Sequence, residues 1–226
     1  MLVRVLKLKR KPKRRRRRLN EKFMRKIILT TIALTLISTC IAAVKTGGKK
    51  TAAKGGATME YTDYLPKHGH FKCVLPKAWQ ALETGDTGER QKIYGIEAAG
   101  QPDSSGVRVR VSVDYYAKDN AMYETPEAFV ANLSKADPLL PIKGEKYGPV
   151  KPVKAAGMTG KQFERKVFEF IPPESVKPAK VAVVERYAVL TAKEGFYVLT
   201  YKAPEKIAAS NSDIFKKVLD SFKTGK

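Results

Sequence analysis

Basic and aromatic side chains on the predicted strands form the candidate site for an anionic ligand. These residues are Arg108, Arg110, Tyr116, Lys166 and Arg186. Arginine and lysine bind carboxylates and phosphates through charge-assisted hydrogen bonds, so a surface that gathered these side chains would suit a small anion. The competing interpretation is an exposed strand surface on which the same cations form ion pairs with neighbouring acids.

The two histidines are a candidate metal-binding pair. His68 and His70 point the same way if the chain is extended there, and together they could hold a divalent ion. The sequence shows no third or fourth ligand beside them, and a solvated loop is the alternative. We therefore predict no metal site at these residues.

Motifs for cofactor or covalent chemistry are missing from the sequence. It contains no glycine-rich phosphate loop, no Cys-x-x-Cys pair and no His-Glu-x-x-His sequence. With both histidines adjacent, an acid–base pair that serves a remote nucleophile is poorly supported. The sequence predicts no catalytic residue, no cofactor and a protein that is not an enzyme. The alternative class is a carboxylate-dependent hydrolase of the cell envelope.

An uncharged apolar segment near the N-terminus predicts export. Residues 27–44 carry no charge and follow the short basic lead Met24-Arg25-Lys26. Such a pattern is typical of a secretory signal peptide or a single membrane anchor, which we place at residues 24–44. The following residues 45–60 are rich in Gly, Lys, Thr and Ala, as in a flexible tether. A location in the cell envelope follows, either membrane-anchored or periplasmic.

Three kinds of processing are open for the apolar segment. The sequence Ile37-Ser38-Thr39-Cys40 resembles the lipobox of bacterial lipoproteins, which implies lipid attachment at Cys40, although Thr39 stands where that motif has Gly, Ala or Ser. Ordinary cleavage after Ala42 or Ala43 is the second possibility. The third is an uncleaved anchor, because eighteen apolar residues are just long enough to cross a bilayer.

The positive charge lies mainly ahead of the predicted domain. Residues 1–54 carry 18 Lys and Arg and one acidic residue, whereas residues 55–226 carry 26 Lys and Arg and 21 Asp and Glu, within a total of +22. The tract 1–23 is predicted to be disordered. It is either an arm that binds nucleic acid or acidic membranes, or a cytoplasmic flank, or a segment upstream of a start at Met24. No nucleic acid is expected on the domain itself.

Alternating apolar residues predict strands, and capped amphipathic stretches predict two helices. The predicted strands are 71–76, 93–98, 107–115, 160–170, 180–191 and 196–201. A helix begins after Thr125, which is followed by proline and an acid, and a second runs over about residues 212–222. The strands 181–190 and 196–201 are apolar on both faces, so helices should cover both sides of the sheet.

The predicted core contains residues from the strands and from the last helix. We expect Trp79, Val109, Val111, Leu199 and Phe222 to be buried together. Cys73 lies inside an alternating strand and should be a small buried hydrophobic residue without a disulfide partner.

Both ends of the domain resemble PsbP-like proteins. Residues 69–79, GHFKCVLPKAW, are similar to the opening pattern of that family, and the strand 197–201, Ala203-Pro204 and residues 218–222 are similar to its closing pattern. The resemblance covers roughly residues 61–224. It implies the fold shared by PsbP and Mog1, an α+β domain with a mainly antiparallel sheet between helices (an α/β/α sandwich), over residues 61–226. It also implies a non-catalytic role.

These observations together predict an exported, envelope-tethered binding or assembly protein. Its partner would be an unknown envelope protein or a small anionic ligand, and its contact with the membrane would be the N-terminal anchor.

Overall fold

The computed structural model describes residues 59–225, apart from the side chain of Asp86, and contains eleven strands and four helices there. The strands are β1 (Tyr61–Tyr64), β2 (Phe71–Pro76), β3 (Gln80–Glu83), β4 (Ile93–Pro102), β5 (Arg108–Ala117), β6 (Lys146–Tyr147), β7 (Lys151–Ala155), β8 (Met158–Ile171), β9 (Ala179–Ala192), β10 (Gly195–Pro204) and β11 (Lys223–Thr224). The helices are α1 (Asp86–Gln91), α2 (Pro126–Leu133), α3 (Glu205–Ala208) and α4 (Ser212–Ser221).

Antiparallel pairing joins the strands into two sheets. The main sheet has eight strands in the order β3-β4-β5-β10-β9-β8-β6, and β7 also pairs with β8. The small sheet has the order β1-β2-β11. Strand β10 lies in the middle of the main sheet, between β5 and β9. Both of its faces are covered, which explains why its apolar residues occupy odd and even positions alike.

One side of the main sheet, which we call the α4 face, carries the larger core. Val111, Leu199 and Leu190 are fully buried there against β2 and against Ile214 and Val218 of α4. The amphipathic pattern of α4 explains its position, since its apolar side chains recur every three or four residues and form one stripe.

The opposite side, which we call the α2 face, carries a smaller core. Helix α2 contributes Phe129 and Val130, which pack on Val189, Phe196 and Val198. Thr125 caps this helix, because its side chain accepts a hydrogen bond from the backbone N–H of Ala128 at 3.1 Å. An α-helix of eight residues is only about 12 Å long. It therefore covers one end of the α2 face.

The α+β sandwich predicted from the sequence is confirmed. Residues 71–76 form the predicted strand, and Cys73 is 4% exposed. The small sheet was not predicted, because β1 and β11 are short and depend on pairing with β2. Of the four helices in residues 59–225, none is long and apolar enough to span a bilayer.

The prediction for Trp79 needs correction. Four of the five expected core residues are buried together, but Trp79 is half-buried and packs on the margin of that core. Its indole lies over Gly100 in β4, where an added Cβ would approach the ring to 3.1 Å. The ring thus covers the margin of the core, and a larger residue at position 100 would require it to move by a few tenths of an ångström.

Candidate functional site

A row of charged side chains crosses the α2 face beyond Phe129 and Val130, next to the C-terminal end of helix α2. Arg110 of β5 is paired with Lys202 of β10, Lys202 with Glu185 of β9, and Glu185 with Arg165 of β8. Directly paired residues of antiparallel strands project to the same side, so the four side chains are neighbours. With the polar residues of the adjacent rows they form the charged patch, which consists of Glu97, Arg110, Ser112, Asp114, Arg165, Glu185, Thr200 and Lys202.

Glu185 is the centre of a closed ion network within the charged patch. It accepts hydrogen bonds from Arg165 Nε at 2.6 Å and from the Tyr187 hydroxyl at 2.7 Å, and Lys202 Nζ lies 3.1 Å away. Burial acts to raise the pKa of this carboxyl, but Lys202, Arg165 and Tyr187 outweigh it and hold the pKa below its usual value. Glu185 is therefore ionised and structural.

Arg110 is the least satisfied cation of the charged patch. Its closest acidic partner is Glu97, at 3.9 Å from Nη1, and 37% of its side chain is exposed. Its Nε is buried and has no hydrogen-bond partner among the described residues. By contrast, Lys202 lies 2.7 Å from Glu169 and 3.1 Å from Glu185. Arg110 thus has donors left for a ligand, whereas Lys202 is already paired on both sides.

Asp114 is a carboxyl group held in an unfavourable environment. It is paired with Gly95 of the neighbouring strand, and a Cβ added to Gly95 would collide with the carboxylate of Asp114. Burial raises its pKa to about 7, the hydrogen bond from the Ser112 hydroxyl at 2.9 Å opposes this, and Glu97 adds to it. Near neutral pH both protonation states are populated.

The structure places the other two predicted residues of β5 on the α2 face as well. Arg108 donates from Nη1 to the carbonyl of Gly100 at 2.9 Å, across an irregularity in the β4–β5 pairing. The ring of Tyr116 stacks on Phe196 at 4.7 Å and meets Phe129 edge to face. Burial raises the pKa of Tyr116 well above its usual value. Tyr116 therefore contributes mainly to the packing under α2.

Lys166 and Arg186 lie on the α4 face, away from the other three predicted residues. Each has an acidic partner: Lys166 contacts Glu205 at 2.5 Å, and Arg186 contacts Glu164 at 2.6 Å. Five cations and aromatics predicted as one surface are therefore divided between the two faces. Sequence reasoning missed Lys202, Glu185, Arg165 and Asp114, because the register that unites them joins strands far apart in the chain.

His68 and His70 pack with aromatic side chains. Their rings are 6.2 Å apart, and both lie within 5 Å of the ring of Tyr94. His68 Nε2 is 3.1 Å from Glu89, and burial and the neighbouring His68 lower the pKa of His70. Within residues 59–225, no three His, Cys, Asp or Glu side chains are grouped as metal ligands.

Two surface cavities lie outside the charged patch. One of about 370 Å³ follows α2 and includes Asn132 and Lys135 in its lining. The other, of about 620 Å³, lies between β1, β2 and the end of α4, and Lys72 and Asp220 are among its lining residues. Burial raises the pKa of the adjacent Cys73 thiol to about 12, so this thiol is unreactive near neutral pH.

No family model and no curated protein sequence matches this chain. Similar solved structures include one from Bacteroides thetaiotaomicron VPI-5482, with 11% identity and a TM-score of 0.45 over 73% of this chain and 48% of the other. The chain thus spans about half the length of that protein.

Two further similar structures carry the names PsbP and Mog1. Cyanobacterial PsbP (CyanoP) of Synechocystis sp. PCC 6803 is 11% identical, with a TM-score of 0.42 over 77% of this chain and 98% of the other. The Saccharomyces cerevisiae Ran-binding protein Mog1p is 13% identical, with a TM-score of 0.41 over 74% and 96%.

Cys40, the basic tract 1–23 and the apolar segment 24–44 lie outside the described residues, so the predictions made for them stay predictions.

Proposed function

We propose that this protein is an exported, envelope-tethered, non-catalytic binding protein whose charged patch takes an anionic group. The observation that carries this proposal is Arg110. A guanidinium that keeps a buried donor without a partner and has one acid at 3.9 Å has room for a carboxylate or phosphate.

The neighbours of Arg110 suit an anion better than a cation. Ser112 follows on the same strand and face, and its hydroxyl already donates to Asp114. Thr200 is paired with Ser112 on β10, so a second hydroxyl lies on the same face. Lys202, at the adjacent position, is already paired with Glu169 and Glu185, so the guanidinium of Arg110 is the cation that the anion would contact. The carboxylates of the patch are either in ion pairs, as Glu185 is, or close to half-protonated, as Asp114 is at neutral pH.

Anion binding by two arginine variants, one inside the charged patch and one outside it, tests the proposed site. The full chain would be titrated with citrate, inorganic phosphate and an acidic peptide, and calorimetry would measure the affinity for each. We expect Arg110→Ala to weaken binding by roughly 10- to 100-fold, since a hydrogen bond to a charged group is worth about 1.5–3 kcal/mol. Arg90→Ala is the control, because Arg90 is an exposed arginine on α1 whose side chain donates to Thr87. Equal affinities for the two variants would refute the site.

Export is tested separately by fractionation and N-terminal mass spectrometry. The support for it is the uncharged segment 27–44 behind its basic lead. We expect the mature protein in the envelope fraction. A diacylglyceryl mass on Cys40 would select lipidation, and a soluble cytoplasmic protein with an intact Met1 would refute export.

A carboxylate-dependent hydrolase is the second candidate, and Asp114 is the observation in its favour. A carboxyl with a pKa of about 7 and an ionisable neighbour, Glu97, can serve as a general acid. However, neither of the two cavities described above is lined by this pair. A hydrolytic activity that Asp114→Asn abolishes and Arg110→Ala preserves would favour the enzyme over the binding protein.

A further inference from the structure

The positive charge of the described domain is concentrated in one segment. Residues 134–180 carry ten Lys and Arg against five Asp and Glu, whereas the remaining residues of 59–225 carry 15 against 16. The entire cationic excess of the domain therefore comes from this segment, and the rest is close to neutral. Such a separation produces a local positive field even though the net charge is small.

The same segment holds most of the exposed large apolar side chains. Six of the ten in residues 59–225 lie within 134–180. Five of them we call the apolar tip: Leu139, Leu140, Ile142, Phe170 and Val176. Their exposure is high, 71% for Leu139 and 97% for Val176. Isolated exposed apolar residues are ordinary, but a group of them beside cations indicates an interaction surface.

Contacts bring the two parts of this segment to one end of the molecule. Lys180, near the start of β9, donates to the backbone carbonyl of Lys143 at 3.1 Å and lies over the ring of Phe168 at 3.8 Å. Gly144 lies against the same ring, where an added Cβ would be 3.1 Å away. The loop before β6 is thus fastened to the end of the β8–β9 hairpin, whose connection carries Val176.

Lysines accompany the apolar tip and remain exposed. Lys143 and Lys177 are each adjacent in sequence to a tip residue, Lys135 lies on the loop before β6, and Lys146 is the first residue of β6. In the part of the chain that the structure describes, none of these four lysines is in an ion pair. Residues 134–146 and 170–180 together carry five lysines and three acids, Asp137, Glu145 and Glu174, so the lysines outnumber the acids around the tip.

We infer that the apolar tip and its lysines dock the domain on the surface of a membrane that contains anionic lipid. Apolar side chains that enter the headgroup region gain from leaving water, and nearby lysines are attracted by anionic headgroups. Each lysine near such a surface strengthens binding roughly fivefold. Exposed apolar residues with lysines next to them in the chain match this surface in both chemistry and sign of charge.

The inference rests on the proposed tether only for proximity. If residues 24–44 stay at the membrane, residues 45–58 join them to the domain, and a chain of that length has a mean span of only about 20 Å. The domain would then face the bilayer at a high effective concentration, so a weak docking surface would be occupied.

Hydrogen exchange on the full chain tests the docking separately from the tether. The chain would be added to vesicles of phosphatidylglycerol and phosphatidylcholine, or of phosphatidylcholine alone, and exchange would be followed by mass spectrometry at short times. We expect protection of residues 134–145 and 171–180 on the anionic vesicles, and none in residues 59–66 or 80–85. Flotation of the same samples reports the attachment of the chain as a whole.

Matched variants decide which residues carry the docking. Leu139→Ser with Leu140→Ser, and Lys143→Glu with Lys177→Glu, should each abolish the protection. The control pairs are Leu65→Ser with Leu82→Ser, which are 68% and 69% exposed elsewhere, and Lys67→Glu with Lys118→Glu. All eight positions are exposed, and circular dichroism would verify that the variants are folded.

The outcomes separate the two proposals. Flotation without protection of the tip, or protection that survives Lys143→Glu with Lys177→Glu, would overturn the docking and leave the tether intact. Protection that persists when residues 24–44 are deleted would support the docking and show that it does not need the tether. Protection caused only by an added acidic protein, and not by vesicles, would overturn the membrane as the partner.

Discussion

Asp114 illustrates how a single position on the sheet acquires unusual properties. Its strand partner is Gly95, so its carboxylate lies against the neighbouring backbone and is largely withdrawn from water. Burial raises its pKa to about 7, with Glu97 acting in the same direction and Ser112 against it. The folded chain thus holds a proton that an unfolded chain releases near pH 4.

We predict that stability falls as the pH rises from 4 to 7 through Asp114. Since its pKa is raised, the folded state binds more protons than the unfolded state in this window, and ionisation destabilises the fold. Three pKa units correspond to roughly 4 kcal/mol for a fully buried group, and we expect about half of this because Asp114 is partly exposed. Urea denaturation of the wild type and Asp114→Asn at pH 5 and pH 8 measures the effect. The same difference between the two proteins at both pH values would contradict the prediction.

Glu185 has the opposite effect on the pH dependence of stability, because its partners stabilise the charged form of its carboxyl. We predict that Glu185→Ala lowers the free energy of unfolding by about 3 kcal/mol, since Arg165 and Lys202 lose a buried partner. Its pKa is lowered, so this advantage of the wild type is present at neutral pH and lost as the pH falls below roughly 4.

Glu164→Ala provides the matched control for Glu185→Ala. Glu164 pairs with Arg186 at the same 2.6 Å distance and on the same two strands, but it is 52% exposed. An exposed pair contributes less than about 1 kcal/mol. Similar losses in the two variants would show that Glu185 is not the centre of the network.

At the scale of the elements, the coverage of the sheet decides which side chains are core and which are exposed. The α4 face is covered by α4 and β2, so Val111 and Leu199 are fully buried. The α2 face is covered only where Phe129 and Val130 reach, and beyond them polar residues occupy the same strands. The charged patch exists because α2 ends after two turns.

Two aromatic truncations test this description of the core. We predict that Phe222→Ala lowers the free energy of unfolding by about 3–5 kcal/mol, because Phe222 is 2% exposed and packs on Phe71 and Tyr197. Trp79→Ala should cost less, about 2 kcal/mol, since its ring keeps solvent on one side. Chemical denaturation measures both. A larger loss of stability for Trp79→Ala than for Phe222→Ala would show that Trp79 belongs to the core. A loss of anion binding in Trp79→Ala would make Trp79 a ligand contact.

At the scale of the whole molecule, charge is distributed in two separate places. The N-terminal tract 1–23 contains five consecutive arginines, and the described domain has its cationic excess in residues 134–180. Between these lies the uncharged segment 27–44. If that segment directs export, the domain works on the side of the membrane away from nucleic acid.

We predict that any binding of DNA or RNA by the full chain depends on the arginine run. Changing Arg14–Arg18 to Gln should abolish it, and wild-type affinity should fall steeply with salt because each neutralised phosphate releases counterions. Arg108→Glu with Arg110→Glu should leave it unchanged. Fluorescence anisotropy at two salt concentrations provides the measurement. Binding that survives the first variant and is lost in the second would make the charged patch a nucleic-acid site.

The local sequence determined most of the elements, because their signals lie within a few residues. Thr125 with Pro126 begins α2, and the alternation of valines in residues 107–113 gives β5 its buried side. Apolar residues on both parities of β9 and β10 also predicted layers on both faces. Cys73 in an alternating strand was correctly predicted to be buried.

Only the tertiary structure decided which charges share a surface. Arg110, Lys202, Glu185 and Arg165 come together through the register of four strands, and a shift of one residue would send any of them to the other face. Lys166 and Arg186 look similar in sequence but project the other way. The reason is physical: side-chain direction along one strand is local, whereas the pairing of strands far apart in the chain is fixed by the packing of the whole sheet.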